Sequence, residues 1–231
     1  LFCAIKESQN GKPWYDWPEA LKNREKEALE PFLENLEPYL QQQRTFNAEW
    51  QELRSYANSN GIKIIGDVPI FIAHDSADVW AHRELFQLDE EGYPTFIAGV
   101  PPDYFSETGQ VWETVLYKWD VHRQQDWTWW KQRMQRMFRM YDVVRIDHFR
   151  GFHSNWAIPY PEEDARNGHW QDGPQDAVRV GRVGQKVQMG IWSWSSSSPV
   201  VLTVRYIWIH LHGPPYCTHV PCCSHASICS L

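Results

Sequence analysis

Apolar residues recur at two different spacings along the first 172 residues of the chain. Spacings of three to four positions predict helices over residues 46–60 and 124–141. Continuous apolar runs rich in β-branched residues predict strands over residues 62–73 (IKIIGDVPIFIA) and 142–147 (DVVRID). The second helix carries the clearest apolar stripe, formed by Trp127, Trp130, Met134, Met137/Phe138 and Tyr141.

Weaker signals fill the intervals between these elements. Asp75 or Ser76 can cap a short helix over residues 75–87, and residues 156–161 (WAIPYP) are typical of a short extended segment. Residues 89–110 contain three Pro and three Gly and are expected to form a loop. The order helix, strand, helix, helix, strand predicts a β/α alternation with a parallel sheet, either open or closed into a barrel.

The character of the chain changes after residue 172. Residues 1–172 contain 28 of the 29 acidic residues and carry a net charge of −10, whereas residues 173–231 contain only Asp176 and carry a net charge of +3. Four of the five cysteines and a run of four serines also lie in this tail. We therefore predict a domain at 1–172 and an irregular tail at 173–231. The tail is open to three interpretations: a short basic extension, a Cys/His metal module, or a shifted reading frame.

Composition excludes several classes of protein. The net charge of −7 argues against nucleic acid or an anionic membrane as the main partner. No run of 18 apolar residues is present to span a bilayer. The first residues contain neither an initiator Met nor a signal-peptide pattern, so we expect a chain that is cut at its start. One early and four late cysteines do not form a disulfide framework across the body, so we expect a reducing, cytoplasmic or plastid location.

The strongest candidate chemistry lies in VVRIDHF, residues 143–149. Side chains alternate along a strand, so Arg145 and Asp147 point to the same face. An aspartate held by an arginine stays ionised at neutral pH, which a nucleophile toward a sugar carbon requires. The same pair can also be a structural cap on a strand, and the pattern alone does not decide between the two.

Two further segments carry polar or aromatic groups. Asp67, His74, Asp75 and Asp78 could cap a helix start or clamp a bound hydroxyl group, and their spacing is not that of a metal site. In the loop AGVPPDYFSETGQVW, Tyr104, Phe105 and Trp112 could stack on sugar rings or pack inward as anchors. The tail residues Cys217, His219, Cys222, Cys223 and His225 lack the two separated ligand pairs of a zinc finger, so no metal site is predicted.

Taken together, these stretches resemble one family. IIGDVPIFIAHDSADVWAHRELFQLDEEG, AGVPPDYFSETGQVW, YDVVRIDHFRGF and GKPWYDWPE are similar to the 4-α-glucanotransferases, also called disproportionating enzymes or amylomaltases. The resemblance runs from about Leu1 to about Gly173. It implies part of a (β/α)₈ barrel with inserted loops and helices, followed by a tail outside the family. It also implies transfer of α-1,4-glucan segments between malto-oligosaccharides by a retaining mechanism, without a cofactor.

The resemblance assigns roles to residues that match the family's motifs. Asp147 matches the nucleophile, and Arg145 matches the arginine that holds it. Asp75 matches a carboxylate that contacts sugar hydroxyls. Substrate-binding positions are also expected at Tyr104 and Phe105, in the loop that covers the glucan groove, and at Trp112 and His148.

The main departure from the family pattern is the absence of the second catalytic carboxyl group. A retaining mechanism needs a second carboxyl group about 5 Å from the first. In the family this is a Glu in a GEDLG-like stretch, but residues 177–231 contain no Asp or Glu. Family members are also at least twice as long. We therefore expect an incomplete, poorly active chain, with a frameshift near residue 174 as a hypothesis and a non-catalytic α-glucan-binding fragment as the alternative.

Overall fold

The structure is a computed structural model in which residues 1–175 are described. Its helices are α1 (Phe2–Ser8), α2 (Glu19–Lys22), α3 (Lys26–Leu33), α4 (Glu37–Ser59), α5 (Ala77–Ala81), α6 (Trp119–Gln124) and α7 (Thr128–Met140). Its strands are β1 (Ile65–Pro69), β2 (Ile72–Ala73), β3 (Phe96–Val100), β4 (Gln110–Val115), β5 (Val143–Asp147), β6 (Ser154–Pro159) and β7 (His169–Asp172). Short 3₁₀ helices lie at Trp14–Asp16, Arg83–Leu85 and Phe149–Phe152.

Both amphipathic helices predicted from the spacing are present, with shifted ends. Helix α4 starts earlier than predicted, with a proline in its first turn, and ends before Gly61, whose φ of +75° suits glycine. Helix α7 starts later than predicted because Asp126 and Trp127 adopt positive φ angles of 52° and 57°. The apolar stripe of α7 is buried at Trp130, Met134 and Phe138.

The two predicted main strands meet as a parallel pair. β1 and β5 align Asp67 with Arg145 and Pro69 with Asp147, so their carboxyl ends lie side by side. Gly66 allows this approach to the end of α7, because a Cβ there would lie 2.2 Å from the ring of Tyr141. The β/α alternation therefore brings its two strand ends together as the pattern predicted.

Asp142 fixes the start of this pair. Its carboxylate accepts hydrogen bonds from Arg54 Nε and Nη2 at 2.9 and 2.7 Å, and from the amides of Asn58 and Ile64 at 2.9 Å each. Burial alone would raise the pKa of Asp142, but these donors outweigh it and hold the pKa below its usual value. One carboxylate thus joins α4 to the starts of β1 and β5.

A second sheet corrects two sequence predictions. Its order is β2-β4-β3-β6-β7, with antiparallel pairs throughout. The run 62–73 is not one strand, because it divides after Pro69 and β2 pairs with β4 in the other sheet. Residues 89–110 are not all loop either, since β3 lies within them and pairs with both β4 and β6. The described residues thus have a mixed α/β fold with one parallel pair.

A tryptophan-rich core supports the carboxyl end of β1. Tyr117 is buried, and its hydroxyl donates to the carbonyl of Ile70 at 2.6 Å. Arg133 of α7 donates to the carbonyls of Pro69 and Ile70 at 2.6 and 3.1 Å and lies over the rings of Trp129 and Trp130. This anchoring fixes the backbone that follows β1. The core cluster includes Trp14, Trp17, Trp80, Trp119, Trp127, Trp129 and Trp130.

The predicted tail falls almost wholly outside the described residues. Of residues 173–231, only the first three are described, and the N–H of Gly173 donates to the carbonyl of His153 at 2.8 Å. The cysteines and histidines at 217–225 lie outside the described residues. The division at residue 172 and the completeness of a barrel stay predictions.

Candidate active site

Arg145 joins two aspartates at the carboxyl ends of β1 and β5. Its Nε donates to Asp67 Oδ1 at 2.9 Å, and its Nη2 donates to Asp147 Oδ1 at 2.8 Å. Arg145 and Asp147 are two residues apart on one strand, and Asp67 is the register partner of Arg145 on the next. The three side chains therefore share one face, as alternation along the strands requires.

The arrangement leaves the Asp147 carboxylate oriented and reachable. The side chains of Asp67, Arg145 and Asp147 are 57%, 44% and 59% exposed. Because these side chains are about half exposed, their ion pairs contribute little to the free energy of folding. The effect of this network is geometric, because a guanidinium held at two points fixes the direction of the carboxylate it contacts.

A cleft of about 210 Å³ opens beside Asp147. Its wall contains Asp147 as the one carboxylic acid among the described lining residues. The anchored backbone after β1 forms one side of the cleft, and β4 forms another. The lining residues are Pro69, Ile70, Phe71, Trp112, Thr114, Asp147 and His148.

His148 turns its ring into this cleft. The residue has a φ of 48°, which reverses the chain directly after β5. Its ring meets Trp112 edge-on at a centroid distance of 4.7 Å and lies 6.4 Å from Phe71. Burial lowers the pKa of His148, with Arg150 adding to the effect and Asp147 opposing it. A neutral imidazole at pH 7 can both donate to and accept from a sugar hydroxyl.

Trp112 and Thr114 supply the β4 side of the cleft. Trp112 Nε1 donates to Gln110 Oε1 at 3.0 Å, a hydrogen bond along β4 that fixes the orientation of the indole. The hydroxyl of Thr114 is buried and has no hydrogen-bond partner within the described part of the chain. Four of the predicted site residues therefore lie at or beside the cleft: Arg145, Asp147, Trp112 and His148.

Asp75 lies apart from the residues that line the cleft. Its carboxylate is ion-paired with Lys6 of α1 and accepts the backbone N–H of Trp14 at 3.3 Å. Its neighbour His74 is buried, and Nε2 of His74 donates to the carbonyl of Gly92 at 2.7 Å. Of the two predicted caps for the following helix, Ser76 is the one observed, and its hydroxyl accepts the N–H of Val79. Asp75 therefore holds the N-terminal segment against the end of β2.

Tyr104 and Phe105 are exposed, at 97% and 93%. They contact each other edge-on with a centroid separation of 5.7 Å. Asp103 Oδ1 accepts the N–H groups of Phe105 and Ser106 at 2.8 and 2.9 Å, which gives this loop a defined turn. The rings are presented to solvent rather than packed inward, and their contact with a glucan stays a prediction.

Asp67, Phe71 and Thr114 belong to the site or its edge, but the sequence predicts no role for Phe71 or Thr114 and only a possible clamp for Asp67. The position of Asp67 opposite Arg145 depends on the register between strands that are 78 residues apart. One signal was present in the sequence: a lone acidic residue in an otherwise apolar strand. Thr114 gave no such signal, because no strand was predicted over residues 111–115, where most of β4 lies.

Metal binding and membrane insertion receive no support from residues 1–175. No group of three or more His, Cys, Asp or Glu side chains within this range is placed to hold a metal ion. Within the same range, no helix combines the length and apolar character needed to cross a bilayer.

Ligands of α/β proteins bind at the carboxyl ends of parallel strands, and an ionised carboxylate is the group that attacks the sugar carbon in retaining glycosidases. A family model described as 4-alpha-glucanotransferase, glycoside hydrolase family 77, matches residues 1–188. The chain belongs to this family. The match reaches past residue 172, where the sequence pattern had placed the domain boundary.

Curated relatives agree with this membership. The 4-alpha-glucanotransferase of Aquifex aeolicus is 46% identical over 178 residues, which cover 75% of this chain and 36% of the relative. The chloroplastic/amyloplastic enzyme of Oryza sativa subsp. japonica is 46% identical over 181 residues, covering 77% and 30%. The chain therefore spans about a third of the length of these relatives.

Solved structures show the same similarity. The amylomaltase of Streptococcus agalactiae, solved in complex with acarbose, superposes with a TM-score of 0.71 at 43% identity, covering 75% of this chain and 36% of that one. The amylomaltase of Corynebacterium glutamicum superposes with a TM-score of 0.56 at 16% identity, covering 74% and 22%. The second likeness concerns the fold alone.

Proposed function

We propose that this chain carries the nucleophile half of a 4-α-glucanotransferase site, which binds α-1,4-glucans and places Asp147 against the anomeric carbon. The observation that carries the proposal is the bridge from Arg145 to Asp67 and Asp147 at two parallel strand ends, beside the cleft. Family membership supports the glucan as substrate class, and the acarbose complex of the streptococcal relative supports a malto-oligosaccharide-like ligand.

The proposed reaction proceeds in two displacements. An oxygen of Asp147 attacks the anomeric carbon, the glycosidic C–O bond breaks, and the departing glucan oxygen takes a proton from a general acid. The free 4-hydroxyl of an acceptor glucan then attacks the same carbon. This releases Asp147 and returns a proton to the group that acted as acid.

The chain offers no evident candidate for the general acid that protonates the departing oxygen. Asp147 is the one carboxylic acid among the cleft-lining residues described, and residues 177–231 contain neither Asp nor Glu. We therefore expect little turnover of natural glucans by this chain, because the departing oxygen would leave without a proton. Incubation with maltotriose should yield neither glucose nor longer oligomers above background, and their formation would contradict this expectation.

A donor that needs no acid tests the nucleophile directly. With α-maltosyl fluoride, attack by Asp147 breaks the C–F bond and fluoride departs as an anion, so no proton is required. Mass spectrometry of the intact protein should show one added maltosyl unit, and peptide mapping should place it on Asp147. The Asp147→Asn variant should remain unlabelled. Equal labelling of that variant would refute the assignment.

A non-catalytic α-glucan-binding fragment is the second candidate. The exposed rings at Tyr104 and Phe105 and the tryptophan in the cleft favour it, since none of them requires turnover. A binder should retain its affinity for amylose after Asp147→Ala and show no fluoride release with the activated donor. Fluoride release that depends on Asp147 would favour the transferase.

The partners we propose are α-1,4-glucans and malto-oligosaccharides, with no nucleic acid, membrane or cofactor. Asp75, Tyr104, Phe105, Trp112 and His148 are the proposed substrate contacts. The rice and potato relatives are named as chloroplastic/amyloplastic proteins. A cytoplasmic or plastid location is the compartment we propose.

A further inference from the structure

Three tyrosines from distant parts of the chain meet on the surface outside the cleft. Tyr15 lies in the 3₁₀ helix Trp14–Asp16, Tyr93 in the turn before β3, and Tyr160 directly after β6. The ring centroids of Tyr15 and Tyr93 are 5.3 Å apart, and those of Tyr93 and Tyr160 are 6.4 Å apart. None of the three lines the cleft beside Asp147.

The geometry of Tyr93 and Tyr160 makes a platform. The two rings are stacked with planes that differ by 17°, so they present parallel faces. Tyr160 is 41% exposed, and Tyr93 is partly exposed. Neither ring belongs to the buried apolar clusters of the described residues. Their placement is therefore not explained by core packing.

Neighbouring groups hold the platform in place. The hydroxyl of Tyr93 donates to Asp16 Oδ1 at 3.1 Å, and Asp16 is exposed. Tyr15 stacks face to face on His74 with a centroid distance of 4.1 Å. His74 is buried and hydrogen-bonded, so it forms a rigid base beside Asp75. Tyr15 and Tyr93 thus have little freedom left to lose on binding a ligand.

These features suit a carbohydrate chain. Aromatic faces offer apolar contact to the C–H faces of sugar rings, while exposed carboxylates accept hydrogen bonds from sugar hydroxyls. The ionisable neighbours that raise the pKa of Tyr15 and Tyr93 are carboxylates and other tyrosines, with Asp75 acting on Tyr15 and Asp16 acting on both. The surface therefore matches a neutral polyhydroxylated ligand better than an anion.

We propose that Tyr93 and Tyr160, with Tyr15 and Asp16 at their edge, form an accessory binding surface for long α-glucan chains, separate from the cleft at Asp147. The choice of an α-glucan as occupant rests on the proposed function. This surface holds glucan segments that extend beyond the few sugar units bound next to the nucleophile. It therefore favours polymeric over short substrates.

Native gel electrophoresis through soluble starch tests the surface, with maltotriose binding in solution as the readout of the cleft. The double variant Tyr93→Ala/Tyr160→Ala should bind starch about fivefold more weakly and bind maltotriose as the unchanged chain does. Tyr93→Phe should keep starch binding, because it retains the ring. The matched control is Tyr56→Ala, which removes a tyrosine that is 69% exposed on α4 and should change neither readout.

The results separate this proposal from the proposed function. Starch retardation that is unchanged in the double variant, or absent from the unaltered chain, would overturn the accessory surface. Retardation that depends on the two rings would support the surface even if maltotriose failed to bind, although the cleft assignment would then fail. Should the double variant unfold, Tyr160→Ala alone carries the test, since its ring lies at the exposed end of the platform.

Discussion

Asp67 on β1 faces Arg145 on β5 across the parallel pair, and a hydrogen bond of 2.9 Å joins their side chains. The same guanidinium contacts Asp147 through Nη2. Asp67 thus acts on the proposed nucleophile through Arg145, as a positioning residue.

The first prediction concerns this indirect role. Asp67→Asn weakens the hold on Arg145, so the Asp147 carboxylate should lose its fixed direction. We expect labelling by α-maltosyl fluoride to slow by about tenfold, since misplacement of a reacting group by ~1 Å can cost about a hundredfold. Time-resolved mass spectrometry provides the rate. The control is Asp120→Asn, which breaks an exposed pair with Arg123 and should label normally.

A second prediction concerns Trp112. Trp112→Ala removes the aromatic wall of the cleft and the edge contact with His148. Affinity for maltotriose, measured by calorimetry, should fall by about tenfold, as expected for the loss of one aromatic contact surface. Trp170→Ala removes an indole that is 45% exposed and outside the cleft, and it should leave this affinity unchanged. Equal losses in both variants would argue against the cleft as the ligand site.

A third prediction concerns Asp142. Asp142→Ala leaves Nε and Nη2 of Arg54 and the N–H of Ile64 without their acceptor at the start of the parallel pair. The free energy of unfolding should fall by about 2–3 kcal/mol, the usual cost of losing hydrogen bonds to a charged group. Urea titration measures it. Glu37→Gln, which removes an exposed pair with Arg44, should cost less than about 0.5 kcal/mol.

The fourth prediction concerns pH and His122. Burial among aromatic rings lowers the pKa of His122 to about 4, whereas an unfolded histidine titrates near ~6.5. Between these values the unfolded chain binds more protons than the folded one. Stability should therefore be complete above ~6.5 and decline as the pH falls toward 4, by about 3 kcal/mol from this residue.

His122→Phe provides the comparison for that pH dependence. Phenylalanine keeps an aromatic ring among Tyr117, Trp119 and Trp129 but cannot take up a proton. Urea midpoints measured from neutral pH to pH 4 should decline less steeply in this variant. If the two profiles run parallel, other groups, such as His74 and His148, account for the acid sensitivity.

Patterns local to one segment were the most predictable part of the fold. The apolar stripe of α7 and the two charge-tipped strands follow from periodicity within about a dozen residues, and they suffice to predict that Arg145 and Asp147 share a face. The strand β3 could not be found in this way. Its residues Phe96–Val100 lie among Pro and Gly and become a strand only by pairing with β4 and β6.

Contacts between distant segments determine side-chain partners that the sequence could not predict. Asp75 is paired with Lys6, which is 69 positions away, and nothing in the sequence near either residue indicates the other. Asp67 is a similar case, because its partner is determined by strand register. The type of each residue indicates which reactions and hydrogen bonds its side chain can take part in, but its partners depend on the topology of the fold.

The bridge made by Arg145 also determines the sign of the local field. One guanidinium between two carboxylates leaves one unit of negative charge on that face of the strands. The transition state for breaking a glycosidic bond resembles an oxocarbenium ion, with positive charge spread over the anomeric carbon and ring oxygen. For the reaction that we propose, this negative charge on a fixed frame is complementary to the cation and has little effect on the neutral sugar. We therefore expect it to lower the barrier without tightening the ground-state complex.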